Sequence, residues 1–158
     1  MIQDTSGSEP ASHPLAPRSQ SCPLDALPRQ PSIECYDHFS RVALSLFRFI
    51  GAAYATGASD CWEAAYRFAE ETPDVSDSPL LVARVAALVR ILRSCRACNL
   101  CFMPPSCSRL SKDEAELMRL LAVARSRRPG ELESVVCKLV GTEKEDAATR
   151  AVNALAFC

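Results

Sequence analysis

The sequence has 158 residues, a formal net charge of −1, 48% hydrophobic residues and 23% charged residues. This balance is typical of a globular protein and excludes a collagen-like or wholly disordered chain. A net charge near zero gives no general attraction to nucleic acid or to an anionic membrane. The five glycines, spread from Gly7 to Gly141, form no phosphate-binding pattern, so glycine-rich nucleotide-binding motifs are excluded.

The N-terminal region is rich in proline and serine. Residues 1–35 are predicted to be a disordered leader, because they cannot bury enough apolar surface to offset their conformational entropy. The first residues lack the basic start and apolar run of a secretory signal, and no later apolar run reaches membrane-spanning length. Abundant arginine and alanine suggest a GC-rich genome. We therefore expect a bacterial cytoplasmic protein; a segment read by a specialised secretion system is the alternative role of the leader.

Residues 36–158 are predicted to form one all-α domain, a small bundle of five to six helices. The first helix has apolar residues at helical spacing from Phe39 to Tyr54, and Gly57 is its expected stop. Arg41, Ser45 and Arg48 are predicted to lie on its polar side.

The starts of the next two helices are predicted from capping residues. Asp60 and Glu63 have capping-box spacing at the start of a short second helix. Ser78 is the predicted N-cap of the third helix, with Pro79 at the first helical position. Residues 80–92 are apolar almost all round, which is typical of a helix in the middle of a bundle.

Three further helices are predicted in the C-terminal part. Ser111 and Glu114 form a capping box for the fourth, and the pair of residues 129–130, Pro-Gly, separates it from the fifth. The fifth ends at Gly141, and Thr142 with Glu145 caps the sixth.

Nine cysteines occur, and four of them lie close together at Cys95, Cys98, Cys101 and Cys107. Four thiolates could bind tetrahedral zinc, and the first three resemble in spacing the start of an iron–sulfur cluster motif. However, the fourth spacing fits neither pattern, and no glycine supplies loop chemistry there. We interpret Cys95 and Cys98 as core residues that extend the apolar stripe of the third helix, and the cluster as thiols without a metal. A zinc or Fe–S site and a redox-responsive site that use the same four thiols are the alternatives.

Cys35 and His38 form a second candidate pair, which could complete a zinc site with Cys95 and Cys98. The simpler interpretation is a polar helix start with Asp37 or Cys35 at the cap. The same Cys35 and His38 lack a third orienting group for nucleophilic catalysis, so we predict no enzyme.

Basic residues cluster around Arg90, Arg93 and Arg96, but on the most apolar helix rather than on a solvent-facing recognition helix. Nucleic-acid binding is therefore not expected. By elimination, the sequence predicts a non-catalytic adaptor or regulator that binds a protein partner and needs no cofactor.

Overall fold

In a computed structural model of the chain, residues 32–95, 100–127, 129–140 and 145–157 are described. These residues contain six α-helices and no strand, which confirms the predicted all-α bundle. The helices are α1 (His38–Thr56), α2 (Ser59–Glu71), α3 (Ser78–Cys95), α4 (Lys112–Arg125), α5 (Pro129–Val140) and α6 (Glu145–Ala156). A short 3-10 helix, Ile33–Cys35, precedes α1. The first 31 residues of the predicted leader lie outside the described residues.

Helix α1 begins and ends where its sequence predicts. The Asp37 side chain accepts a hydrogen bond from the Ser40 backbone N–H at 3.1 Å and caps the first turn. Gly57 ends the helix in the left-handed region, with φ 72°, and its N–H donates to the Ala53 carbonyl at 2.8 Å. A glycine takes up this conformation without the steric cost that a Cβ atom adds.

Two predicted caps are wrong, each by one or two positions. Helix α2 begins at Ser59 without a side-chain cap, which puts Asp60 inside its first turn rather than at the N-cap. In front of α3, Asp77 rather than Ser78 accepts from the Leu80 N–H, at 2.9 Å. The Ser78 hydroxyl instead donates to the carbonyl of Ala69 at 3.0 Å and ties α3 to the end of α2.

The C-terminal helices agree with the prediction where the structure describes them. Both hydrogen bonds of the Ser111–Glu114 capping box are present at the start of α4. Helix α5 begins with the proline itself, whose missing N–H costs nothing at the first helical position. The predicted cap at Thr142 lies outside the described residues, and α6 begins at Glu145.

Helix α1 is more deeply enclosed than α3, which the sequence placed in the middle. α1 packs against α2, α3 and α4, and α3 packs against α1, α2 and α6. Leu80 of α3 is nevertheless 40% exposed, whereas Leu44, Leu46 and Phe47 on different sides of α1 are fully buried. A fully buried side chain of this size contributes about 1.5–3 kcal/mol. The core therefore forms around α1.

Helix α6 closes the bundle against α3, α4 and α5. Its buried residues are Ala148, Val152, Leu155 and Ala156. None of the helices in the described ranges is long and apolar enough to cross a membrane.

Candidate functional site: a buried clasp and an apolar surface

A buried ion pair joins the third turn of α1 to the first turn of α4. Arg48 and Glu114 are 1% and 0% exposed, and Arg48 Nε donates to Glu114 Oε1 at 2.8 Å. A second hydrogen bond runs from Arg48 Nη2 to Glu114 Oε2 at 3.1 Å. Two parallel hydrogen bonds define the relative orientation of the two side chains as well as their distance. The pair therefore sets the position of α4 relative to α1.

Arg48 also holds the segment that leads into α4. Residues 100–111, which we call the clasp loop, contain neither helix nor strand. Arg48 donates from Nη1 to the Cys107 carbonyl at 2.5 Å and from Nη2 to the Arg109 carbonyl at 2.7 Å. The guanidinium thus satisfies loop carbonyls that have no helix or sheet partner. These hydrogen bonds hold the clasp loop, which has no regular secondary structure, in one conformation.

Glu114 performs the complementary task for backbone donors. Its carboxylate accepts from the Met103 N–H at 2.9 Å and from the Ser111 N–H at 2.8 Å. The Ser111 hydroxyl donates to the Cys101 carbonyl at 2.5 Å, and the Cys101 N–H donates to Asp113 Oδ2 at 2.8 Å. The capping box is therefore part of a larger network. Buried charges are stable only when their hydrogen-bonding capacity is used in this way.

The prediction that Arg48 lies on the polar side of α1 is wrong. Arg41, seven residues earlier and thus on nearly the same face, is exposed as predicted. The clasp loop covers this face only at the level of Arg48. A local signal was available, since residues 42–50 are apolar on every side of the helix apart from Ser45 and Arg48. Glu114 was recognised as a capping residue, but not as the partner of Arg48.

A close contact between a glycine and an aromatic ring brings the clasp loop against α1. A Cβ atom placed on Gly51 would lie 2.3 Å from the Phe102 ring, far inside van der Waals contact. Gly51 is buried, one turn after Arg48 on α1. The missing side chain thus makes room for Phe102, and this position determines how closely the loop can approach the helix.

The structure places three of the four predicted metal-site cysteines in different surroundings. Cys95 is half-buried as the last residue of α3, Cys101 is exposed at the start of the clasp loop, and Cys107 is half-buried near its end. Cys98 lies outside the described residues. Among the residues that are described, no group of three or more His, Cys, Asp or Glu side chains has metal-binding geometry. The four-cysteine site therefore stays a prediction.

The alternative zinc pair lies beside the clasp loop. Cys35 and His38 are both exposed. The backbone N–H of Ile33 donates to the Ser108 carbonyl at 3.2 Å, which joins the 3-10 helix to the loop. Asp37, between the two candidate ligands, is the N-cap of α1, as the simpler interpretation expects.

The charged side chain of Asp37 also contacts α4. Arg125 Nη1 donates to Asp37 Oδ1 at 2.8 Å, and the Arg125 guanidinium lies 4.9 Å from the centroid of the Phe39 ring. Burial alone would raise the pKa of the Asp37 carboxyl. The hydrogen bonds from Ser40 and the charge of Arg125 outweigh burial, so the pKa lies below its ordinary value.

Two cavities, one among α4, α5 and α6 and the other among α1, α3 and the turn before α3, share one aromatic side chain. The first, of about 590 Å³, is lined by Ala124, Arg127, Leu132, Glu133, Thr149, Asn153 and Phe157. The second, of about 200 Å³, is lined by Phe39, residues 74–77, Leu80, Leu81, Arg84 and Phe157. We call the two cavities with Phe157 between them the Phe157 surface. No pattern in the sequence indicated this surface, because its residues come from five separate segments.

Several features of the Phe157 surface are typical of an interaction site. Phe157 is 53% exposed and Leu80 is 40% exposed, two of the three large apolar side chains with most exposure among the described residues. The Arg127 guanidinium lies 5.5 Å from the centroid of the Phe157 ring. Thr149 Oγ1 is buried and has no hydrogen-bond partner in the described part of the chain. An aromatic group, an arginine and an unsatisfied hydroxyl thus lie together.

Comparison with known proteins identifies no relative: no protein-family model, no curated protein and no solved structure matches the chain.

Proposed function

We propose that this chain is a non-catalytic adaptor or regulator that binds a protein partner through the Phe157 surface. The observation that carries the proposal is the arrangement of two cavities on either side of one exposed phenyl ring. Exposed apolar side chains next to concave surfaces are features of binding sites rather than of inert protein surface. The bacterial cytoplasm remains the expected setting.

The two cavities favour a partner that presents at least two apolar side chains, one on each side of Phe157. Their volumes, about 590 and 200 Å³, differ, so the larger cavity would take the bulkier group. Apolar side chains on one face of a helical segment are an ordinary way to fill an apolar groove.

Polar groups around the cavities would orient the bound segment. Arg127 and Glu133 line the larger cavity, so each sign of charge is available to a partner there. Thr149 also lines the larger cavity, and its hydroxyl has no hydrogen-bond partner among the described residues. A partner with a polar atom at that point would satisfy a group that is now unsatisfied, and this adds specificity to the apolar contact.

The proposal is tested by site-specific photocross-linking in the cells that make the protein. Phe157 is replaced by p-benzoylphenylalanine, and the protein cross-linked to it is identified by mass spectrometry. Tyr66, which is 40% exposed on α2, receives the same replacement as a matched control. The identified partner is then purified, and its Kd is measured by calorimetry.

We expect Phe157→Asp and Leu80→Asp each to weaken binding at least about tenfold, because each buries a charge at an apolar contact. Tyr66→Asp should leave the Kd unchanged. The proposal is wrong if position 157 captures no protein that position 66 does not capture, or if the Kd is insensitive to Phe157→Asp.

A further inference from the structure

We propose that Arg127 is the specificity-determining residue of the Phe157 surface and that it pairs with an Asp or Glu side chain of the protein partner. This rests on the proposed function where it concerns the partner. Three observations carry it: the backbone conformation of Arg127, the contact of its side chain with Phe157, and the charges that line the larger cavity.

Arg127 has a backbone conformation that arginine rarely adopts. It follows Ser126, the C-cap of α4, and its φ of 54° lies in the left-handed region. Glycine is the usual residue at such a helix end, and Gly57 fills this role after α1, because a Cβ atom adds a steric cost. The side chain of Arg127 is therefore present at a cost to the stability of the fold.

Backbone strain in this protein is found at the Phe157 surface. Among the described residues, two that are not glycine have a positive φ, and these are Asp74 and Arg127. Asp74 lines the smaller cavity and Arg127 lines the larger one. Strained backbone conformations are concentrated at binding and active sites, so this distribution favours a binding role for the surface.

The Arg127 side chain lies against an aromatic ring with its hydrogen-bond donors open. Its guanidinium is 5.5 Å from the centroid of the Phe157 ring, and in the described part of the chain it forms no hydrogen bond or ion pair. Arg84 at the smaller cavity differs, since its Nη1 donates to the Ala154 carbonyl at 2.6 Å. A guanidinium that stacks on a ring still offers its edge to a carboxylate, through two parallel hydrogen bonds.

The charges of the larger cavity favour an acidic group of the partner over a basic one. Glu133, which also lines this cavity, is exposed on α5 and is not ion-paired with Arg127 in the described structure. Arg127 is held by its contact with Phe157, and a preorganised side chain loses less conformational entropy on binding. The unpaired hydroxyl of Thr149 in the same cavity would be a second donor to the carboxylate.

Two substitutions in the cavity should change the Kd of the identified partner in opposite directions. Arg127→Gln should raise the Kd at least about tenfold, because the charged pair is lost. Glu133→Gln should lower it by about two- to fivefold, because repulsion of the incoming carboxylate is removed. Arg127→Lys keeps the charge but not the two parallel hydrogen bonds, so it should recover only part of the affinity. Arg119→Gln, at an exposed site elsewhere on α4, is the matched control and should leave the Kd unchanged.

Arg127→Gly separates a role in binding from a role in the fold. Glycine relieves the cost of the left-handed conformation, so the midpoint of urea denaturation should rise. The Kd should nevertheless rise as much as in Arg127→Gln. A lower urea midpoint together with weaker binding would show that Arg127 maintains the fold instead.

A small probe tests the carboxylate preference without the partner. Phenylacetate carries one carboxylate and one phenyl ring, and phenylacetamide is its uncharged match. In NMR titrations of the full-length chain at equal millimolar concentrations, phenylacetate should shift the Arg127 Nε–H resonance much more than phenylacetamide does. The resonance is assigned by its loss in Arg127→Gln.

Three results would overturn the inference: equal effects of Arg127→Gln and Arg119→Gln on the Kd, weaker binding in Glu133→Gln, or no preference of Arg127 for phenylacetate over phenylacetamide. The proposed function is judged separately. If Phe157→Asp weakens partner binding and Arg127→Gln does not, the partner proposal stands and this inference fails. If no partner is captured at position 157 but Arg127 responds to phenylacetate alone, the carboxylate preference stands and the partner proposal fails.

Discussion

The clasp, by which we mean Arg48 and Glu114 with the clasp loop, and the Phe157 surface differ in whether their buried polar groups are hydrogen-bonded. In the clasp, Arg48 and Glu114 are buried, and the chain itself supplies their hydrogen-bond partners. At the Phe157 surface, Thr149 Oγ1 is buried without a partner and Phe157 is largely exposed. A hydrogen-bonded network of buried polar groups favours a single folded structure. Unpaired polar groups and exposed apolar side chains can instead contribute to the free energy of binding another molecule. The comparison separates the region that holds the fold together from the surface at which we propose that a partner binds.

The largest expected effect comes from breaking the clasp. Arg48→Met leaves Glu114 charged and buried, and we expect a loss of about 3–5 kcal/mol in the free energy of unfolding. Urea denaturation followed by circular dichroism measures this change. The matched control is Arg125→Met, which breaks an exposed ion pair with Asp37 and should cost no more than about 1 kcal/mol.

The double substitution Arg48→Met/Glu114→Leu separates the ion pair from its backbone contacts. An isolated buried pair can often be replaced by apolar residues without loss of stability. Here the Cys107 and Arg109 carbonyls would lose their donors, so the double variant should remain less stable than the wild-type chain. Wild-type stability in this variant would show that the clasp loop does not depend on Arg48.

The next effect concerns Gly51. Gly51→Ala should lower the free energy of unfolding by about 1–3 kcal/mol, because the new methyl group overlaps the Phe102 ring. Gly130→Ala on α5 is the control, since no atom lies within 4 Å of its added Cβ. That substitution should stabilise the protein by about 0.5–1 kcal/mol through helix propensity. If urea denaturation shows that both substitutions raise, or both lower, the free energy of unfolding, the close contact with Phe102 is contradicted.

Two hydroxyl deletions compare the regions directly. Ser111→Ala removes an N-cap and the hydrogen bond to the Cys101 carbonyl, and should cost about 1–2 kcal/mol. Thr149→Val removes a hydroxyl that has no partner in the described residues, and should be neutral or stabilising by up to about 1 kcal/mol. Thermal and urea denaturation of both variants provide the test. A cost for Thr149→Val as large as that for Ser111→Ala would mean that Thr149 is satisfied in solution.

A smaller effect depends on pH. The pKa of Asp37 is lowered in the folded chain, so its stabilisation is present above the unfolded pKa of about 4 and is lost as the pH falls through the folded value. Asp37→Asn keeps a capping oxygen but loses the charge. At neutral pH it should be less stable by under about 1 kcal/mol, and the difference should disappear in acid. A difference that stays constant from neutral pH to well below pH 4 would contradict the proposed ion pair.

The smallest expected effect is at the cysteines. Because we interpret Cys95, Cys98, Cys101 and Cys107 as thiols without a metal, zinc and iron in anaerobically purified protein should be well below one ion per chain. Cys98→Ser should not change that content or the helical spectrum, and Cys61→Ser on α2 is the control. One metal ion per chain that is lost in Cys98→Ser alone would establish the metal-site alternative.

Much of the fold follows from local sequence, and the elements show why. The period of apolar residues predicted α1, because residues three and four apart share a face whatever packs against them. The left-handed stop at Gly57 and the capping box at Ser111 are equally local, since all their atoms lie within a few residues. The N-cap of α3 was missed because the neighbouring Asp77 and Ser78 compete for the role, whereas α2 follows Ala58 and begins without any side-chain cap.

Tertiary structure alone decided the burial of Arg48 and the position of the Phe157 surface. Arg41 and Arg48 lie on nearly one face of α1, and only the clasp loop, more than fifty residues later in the chain, covers the second of them. Phe157 becomes the centre of a surface because α1, α3, α4, α5 and the 74–77 turn meet around it. Helical periodicity records which side chains share a face, but not which distant segment covers that face. By itself, then, the sequence determined the helices, and long-range packing decided where charge is buried and where an apolar surface stays open.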